Sequence, residues 1–127
     1  MNGSWVAGSP PKKGLEAKVE MAVGQGKTLL YGAIAQGAAG TTQLVAAQGA
    51  GLKIKVVSYV FTMSLLGTVK FTATSDLTGA LDFAASGGAV VLGQPSSPLF
   101  ETGTNQALSI VTTGGAAKGH FSYFVEE

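Results

Sequence analysis

Glycine divides this chain into short segments that favour β-structure. There are 19 glycines among 127 residues, about twice the usual frequency, and runs rich in Val, Ile, Phe, Tyr and Thr lie between them. Such runs at spacings of about 8 to 12 residues are typical of a β-sandwich or barrel. We therefore predict an all-β, jelly-roll-like sandwich with eight strands, at residues 29–34, 43–47, 52–62, 68–73, 80–84, 89–92, 107–112 and 120–125.

The length of the chain suits one domain with one core. A chain of 127 residues buries enough surface on folding to need no disulfide or metal. It contains no cysteine, which excludes disulfides, thiolate metal ligands and cysteine nucleophiles. We predict an extended, flexible N-terminal arm at residues 1–14 and a single β-sandwich domain at residues 15–127.

The chain is poor in charge. Charged residues make up 12% of it, against about 25% in ordinary soluble domains, so we expect other subunits to cover part of its surface. No apolar run reaches the roughly 18 residues that span a bilayer, so no membrane partner is expected. The N-terminus lacks the basic and apolar parts of a signal peptide, which predicts synthesis in a cytoplasm.

The basic residues argue against nucleic-acid binding. All eight are lysines, and the net charge is only +1. Proteins that read nucleic acids depend on arginine for two-pronged contacts to guanine and phosphate, and they carry a strong positive excess. We predict no nucleic-acid partner.

The longest predicted strand, residues 52–62, has two different faces. The even positions are apolar apart from one serine: Leu52, Ile54, Val56, Ser58 and Val60. The odd positions change from lysine to apolar: Lys53, Lys55, Val57, Tyr59 and Phe61. Since alternate residues point to opposite sides of a sheet, the face of the odd positions is exposed to solvent only at the end that carries Lys53 and Lys55. One interpretation is that the strand runs from an exposed edge into the middle of the sandwich or is covered by the Ala-rich segment at residues 32–51. The other is that Val57, Tyr59 and Phe61 form an oligomer interface, which the low charge content of the chain supports.

Two patterns that suggest catalysis are incomplete. Gly26-Lys27-Thr28 matches the end of a phosphate-binding loop, but Met21 occupies the position of its first glycine and a β-like segment follows it. His120 is the only histidine, so a multi-histidine metal site is excluded, and no Gly-x-Ser-x-Gly nucleophile elbow occurs. We interpret His120 as a structural or surface residue.

The interior carboxylates, Asp76, Asp82 and Glu101, give no catalytic pair either. Glycoside hydrolysis needs two carboxylates on either side of one bond. Asp76 precedes a turn-like Leu-Thr-Gly segment, and Asp82 alternates with Leu81 and Phe83, which turns it outward. We predict a non-enzymatic protein with no catalytic residue, no cofactor and no metal site.

The predicted arm lacks the pattern of regular structure. Its paired prolines, Pro10 and Pro11, lack N–H donors and favour extended backbone. Trp5 and Val6 supply apolar surface and Lys12 and Lys13 supply charge, so we expect these four residues to attach the arm to a partner. The alternative is that Trp5 folds back on the domain. Residues 15–23 mix strand alternation with helix-forming residues, and the alternation slightly favours a strand.

From about residue 43 to the C-terminus, seven motifs follow in a distinctive order. They are Lys53-Ile54-Lys55-Val56, Gly67-Thr68-Val69-Lys70-Phe71, Leu77-Thr78-Gly79-Ala80-Leu81, Gly87-Gly88-Ala89-Val90-Val91-Leu92, Pro98-Leu99-Phe100-Glu101-Thr102, Asn105-Gln106-Ala107-Leu108-Ser109-Ile110 and Gly119-His120-Phe121-Ser122-Tyr123. The order resembles small virion structural proteins of tailed bacteriophages, including capsid decoration (cement) proteins and head or tail fibre modules. Members often carry a bulky aromatic residue where this chain has Leu99, which is a mild departure.

The resemblance implies a β-sandwich that binds a capsid lattice. It implies a homotrimer, or a dimer, with the major capsid protein as partner and an N-terminal extension that reaches neighbouring subunits. The expected function is a decoration protein on the head surface that stabilises the shell by bridging capsid subunits. The alternatives are a fibre or receptor-binding module of the virion, against which the short chain argues, and a small glycan-active enzyme.

Overall fold

A computed structural model describes residues 28–127, and every regular element among them is a β-strand. The nine strands are β1 (Leu30–Ala35), β2 (Gly40–Val45), β3 (Lys53–Met63), β4 (Gly67–Thr72), β5 (Leu81–Phe83), β6 (Gly88–Leu92), β7 (Phe100–Glu101), β8 (Leu108–Thr113) and β9 (Ala117–Glu126). The all-β prediction is confirmed. Each of the eight predicted strands overlaps an observed one, and β7 is the strand that was not predicted.

The strands form two antiparallel sheets packed as a sandwich. The five-stranded sheet has the order β1-β9-β3-β6, and β7 also pairs with β3, beyond the end of β6. The four-stranded sheet has the order β2-β8-β4-β5. Early strands pair with late ones, β1 with β9 and β2 with β8. This pairing is compatible with the predicted jelly roll.

The core lies between the sheets because alternate residues point inward. In β8, Leu108, Ile110 and Thr112 are buried while their neighbours are more exposed, which is the expected period of two. The buried cluster that joins the sheets contains Ile34, Val45, Ile54, Val56, Tyr59, Phe61, Met63, Val69, Phe71, Leu108, Ile110, Ala117 and Phe121.

Strand β3 carries an extra residue that changes which positions face the core. Val56 pairs with Tyr123 of β9 and Ser58 with Ser122, so Val57 has no partner in β9 and forms a β-bulge. Before the bulge the even positions are buried, and after it the odd positions are. The predicted continuous alternation over residues 52–62 is therefore wrong, because one inserted residue shifts every later side chain to the other face.

This bulge removes the basis for placing Val57, Tyr59 and Phe61 at an oligomer interface. Tyr59 and Phe61 keep only 8% and 1% of their surface exposed, in the core of this chain, and Val57 is buried at the bulge. The Tyr59 ring centroid lies 4.9 Å from that of Phe71. Tyr59 and Phe61 belong to the cluster that joins the two sheets, so their apolar character reflects core packing.

A buried glutamine closes one end of the sandwich. Gln36 follows β1 and is 2% exposed. Its Oε1 accepts hydrogen bonds from the Thr112 hydroxyl at 2.7 Å and the Ala117 N–H at 3.2 Å, and its Nε2 donates to the Gly40 carbonyl at 2.7 Å. One side chain thus joins β1, β2, β8 and β9.

A buried threonine has a similar role at the other end. Thr102 is 1% exposed, and its Oγ1 accepts from the Ile54 N–H at 3.0 Å and donates to the Gly103 carbonyl at 2.8 Å. The preceding residues also have structural roles, since the Phe100 ring lies 5.1 Å from Phe71 and Glu101 pairs with lysines of β3. The Phe100-Glu101-Thr102 motif therefore holds the end of β3.

Two turns that connect the two sheets, between β3 and β4 and between β8 and β9, pass close together beyond the Gln36 end. Gly114 has a φ of 81°, and a Cβ there would collide with the Leu66 carbonyl. A Cβ on Gly67 would collide with the Thr113 carbonyl. Only glycine permits this approach, and it leaves Leu66 at the tip 71% exposed.

Candidate interaction surface

The outer face of the five-stranded sheet carries three apolar side chains that project away from the core. Val60 of β3 pairs with Val90 of β6, and Ser58 pairs with Leu92, so these residues share the face opposite Tyr59 and Phe61. Val90 is 68% and Leu92 is 78% exposed, and Val60 is half-buried between strands. Val60, Val90 and Leu92 are called the apolar patch below.

The rest of this half of the face is mostly small or weakly polar, with one exposed lysine, Lys118 of β9, opposite Thr62 and Ala35. His120 of β9 lies between Val60 and Ala33 of β1, directly opposite both. The hydroxyls of Ser58 and Ser122 are 2.5 Å apart and hydrogen-bond to each other, which satisfies both without water. Tyr31, at the β1 edge, is exposed. A surface of this kind loses little polar hydration when another protein covers it.

The other half of the same face carries an ion-pair cluster. Lys53 Nζ lies 3.1 Å from Glu101 Oε2, and Lys55 Nζ lies 3.0 Å from Glu126 Oε1 and 3.7 Å from Glu101 Oε1. The Lys55 ammonium also lies 6.0 Å from the centre of the Phe124 ring. The hydrogen bond to Glu126 is the main cause that raises the pKa of Lys55, against the opposing effect of partial burial.

The outer face of the four-stranded sheet is hydroxyl-rich by contrast. Thr68 and Thr113 lie opposite each other with their hydroxyls 2.7 Å apart, and Lys70 pairs with Asp76 at 3.1 Å. Val111, on the central strand β8, is half-buried among these polar neighbours. This face already has the polar character that suits contact with water.

The residues considered for catalysis are not brought together. Asp76 lies in an ion pair beside β4, Asp82 is exposed on β5, and Glu101 belongs to the ion-pair cluster of the other sheet. Of the phosphate-loop motif only Thr28 lies in the described part, and strand β1 follows it. Within residues 28–127 no group of three or more His, Asp or Glu side chains could hold a metal ion.

Two other expectations concern parts of the chain that the structure does not describe or describes only in part. The arm at residues 1–14, with Trp5, Val6, Lys12 and Lys13, lies outside the described residues, as do residues 15–23. The boundary between arm and domain therefore stays a prediction. Among residues 28–127, no helix is long and apolar enough to cross a membrane.

The sequence marks the region of the apolar patch, but its pattern predicts burial where the structure shows exposure. Residues 89–92 are all apolar, a pattern that predicts burial on both faces. In the structure, Val90 and Leu92 are exposed while Ala89 and Val91 are half-buried. The absence of any charged residue from 83 to 100 marks this region as one where exposed apolar residues are not offset by charge.

Comparisons with protein-family models, with curated proteins and with solved structures find no match to this chain.

Proposed function

We propose that this protein is a non-enzymatic decoration protein that binds the outside of a tailed-bacteriophage head. Its partner is the major capsid protein, and it stabilises the shell by bridging capsid subunits. It is made in the host cytoplasm and resides on the capsid surface. The proposal joins the motif resemblance to one structural observation, the apolar patch on one half of the outer face of the five-stranded sheet.

The patch supports this proposal because its chemistry suits a protein surface. Exposed apolar side chains that are grouped together commonly mark contacts with other proteins. At about 25 cal/mol per Å² of apolar area, each contact would be modest, but many copies on one lattice act together. The neighbouring ion-pair cluster offers charges at the rim, where they orient a partner more than they add affinity.

Self-association remains part of the proposal, with a homotrimer expected from the resemblance and a dimer as the alternative. Its contact residues must differ from Val57, Tyr59 and Phe61, which lie inside the chain. A fibre or receptor-binding module uses the same fold and stays the alternative function.

Quantitative mass spectrometry of purified particles tests the location. A head protein should occur in a fixed ratio to the major capsid protein, in tens to hundreds of copies for a shell of many subunits. A few copies that purify with tails would contradict head decoration and favour the fibre alternative. Absence from particles would contradict both.

Binding to particles that lack the protein tests the surface. We expect Val60→Glu, in the apolar patch, to weaken binding about tenfold or more, since a central apolar contact is worth about 1 to 2 kcal/mol. Val111→Glu is the matched control, because both valines are half-buried on central strands but face opposite sides of the sandwich. Equal binding by both variants would contradict the use of the apolar patch.

A further inference from the structure

Strand β6 is an edge strand without the usual protection. Among the described residues, β6 pairs with β3 on one side and with no strand on the other. Natural edges are blunted by charged residues, prolines or bulges, but Gly88–Leu92 contains none. The edge strands β5 and β7 differ, since β5 is three residues long with Asp82 and β7 is two residues long with Glu101. Strand β1, at the opposite edge of the same sheet, also lacks charge, proline and a bulge, but its most exposed large side chain is Tyr31, whereas β6 presents Val90 and Leu92.

The pairing of β6 with β3 shows which peptide groups of β6 are free. The Met63 N–H donates to the Gly87 carbonyl at 2.7 Å. In an antiparallel pair, residues that bond across alternate with residues whose N–H and C=O point away. Counting in steps of two from Gly87, the N–H and C=O groups of Ala89 and Val91 therefore bond to β3. The N–H and C=O groups of Gly88, Val90 and Leu92 point away from β3, outward from the edge of the sheet.

This row of free groups is self-complementary. A second β6 placed antiparallel about a two-fold axis at Val90 sets Val90 opposite Val90 and Gly88 opposite Leu92. Every free N–H of the row then meets a free C=O of the other copy. The side chains agree with this register, because Gly88 leaves space opposite the exposed Leu92 of the second copy. The apolar patches of the two copies join into one strip.

We infer that β6 pairs with β6 of a second copy, so that the two five-stranded sheets form one continuous sheet across a two-fold axis. The contact needs no capsid and is independent of the proposed function. Because two short strands with a few side chains lie below the standard interface area of about 1,600 Å², the dimer is weak, with a Kd on the order of micromolar.

Sedimentation velocity of the full chain from about 1 to about 100 µM tests this inference. We expect the mass to rise from one chain to two across this range. Val90→Pro should remain a single chain, because it removes the outward N–H at the centre of the contact. The same substitution leaves the β3 ladder intact, and proline is tolerated on an edge where the N–H faces away, so its melting temperature should match that of the single-chain wild type.

Three further variants separate this contact from others. Val90→Lys should also abolish the dimer, and it decides the question if Val90→Pro does not fold. Tyr31→Lys, on the opposite edge of the sheet, and Leu66→Lys, in the turn between β3 and β4, should dimerise like the wild type. A wild-type chain that stays single at every concentration, a trimer, or a dimer that survives Val90→Lys would overturn the inference.

Discussion

The two halves of the outer face of the five-stranded sheet differ in how their side chains are satisfied. In the half around Lys53 and Lys55, each ammonium has a carboxylate on a neighbouring strand. In the half around Val60, the exposed valine and leucine of β6 have no such partners among the described residues. The charges of the first half are paired within the chain, whereas the exposed apolar side chains of the second half would be stabilised by contact with another protein.

The β-bulge at Val57 divides these halves along a single strand. Without it, the residues that follow Val56 would have opposite orientations, and Tyr59 could not enter the same core as Val56. The difference shows that a bulge lets one strand serve two surfaces. It also allows the division to be tested by changing the number of residues in β3.

Deleting single residues of β3 should have the largest effect. Deletion of Val57 leaves Val56 and Ser58 adjacent, each still opposite its partner in β9, so both halves keep their faces. Deletion of Val60 forces a choice: either Phe61 and Met63 turn outward, or the bulge is lost and Ser58 replaces Tyr59 in the core. Even the smaller of these losses costs about 3 to 5 kcal/mol.

Chemical denaturation of the two deletion variants measures this difference. We expect the Val57 deletion to unfold cooperatively with a loss of about 1 to 3 kcal/mol, from the buried valine. The Val60 deletion should be largely unfolded. A Val60 deletion at least as stable as the Val57 deletion would mean that the bulge does not determine the two faces.

Replacing Gln36 should have the next largest effect, at the end of the sandwich nearest the apolar patch. Gln36→Leu leaves the Thr112 hydroxyl and the Ala117 N–H without their acceptor, so we expect a loss of about 3 kcal/mol in the free energy of unfolding. Gln48→Leu is the control, because Gln48 is exposed and bonds only to the nearby Ala46 carbonyl. Similar losses for both variants would contradict the role of Gln36.

Replacing Thr102 probes the ion-paired end and should cost less. Thr102→Val keeps the shape but removes the acceptor of the Ile54 N–H, for an expected loss of about 2 kcal/mol. Thr102→Ser keeps the hydroxyl and should lose less, which thermal denaturation monitored by circular dichroism can measure. If Thr102→Ser is less stable than Thr102→Val, the methyl group rather than the hydrogen bond stabilises this end of the sandwich.

Alkaline pH should have the smallest effect, and it acts on the core and on the ion-paired half of the outer face. Burial raises the pKa of Tyr59 above 10.0, and the hydrogen bond to Glu126 raises the pKa of Lys55 above 10.5. The folded state therefore holds these protons more tightly than the unfolded state. The resulting stability is complete below about pH 10 and is lost as the pH rises further.

Tyr59→Phe separates the two contributions. It keeps the ring contacts but removes the phenol, so its free energy of unfolding should fall less between about pH 9 and 11 than that of the wild type. Tyr31→Phe, at an exposed site, should behave like the wild type. An unchanged alkaline slope in Tyr59→Phe would indicate that Tyr59 does not contribute.

The strands were predictable where side chains alternate, and the exceptions have local causes. β8 follows the pattern of a sheet with one buried face, so its position could be predicted from sequence alone. β7 was missed because a two-residue strand has no period and forms only when Phe100 reaches β3. The bulge was missed because Val57 and Ser58 are acceptable on either face, and only the partner residues in β9 reveal it.

The pairing of early with late strands determines when the two sheets can form during synthesis. β9 lies between β1 and β3, so until residues 117–126 leave the ribosome β1 has no neighbour among the described strands, and β3 has neighbours only on its β6 and β7 side. Contacts between residues so distant in sequence form slowly, and unpaired strands invite other chains in the meantime. A chain that is released before β9 is made would therefore have an unpaired β1 and an open edge on β3 in place of one finished sheet.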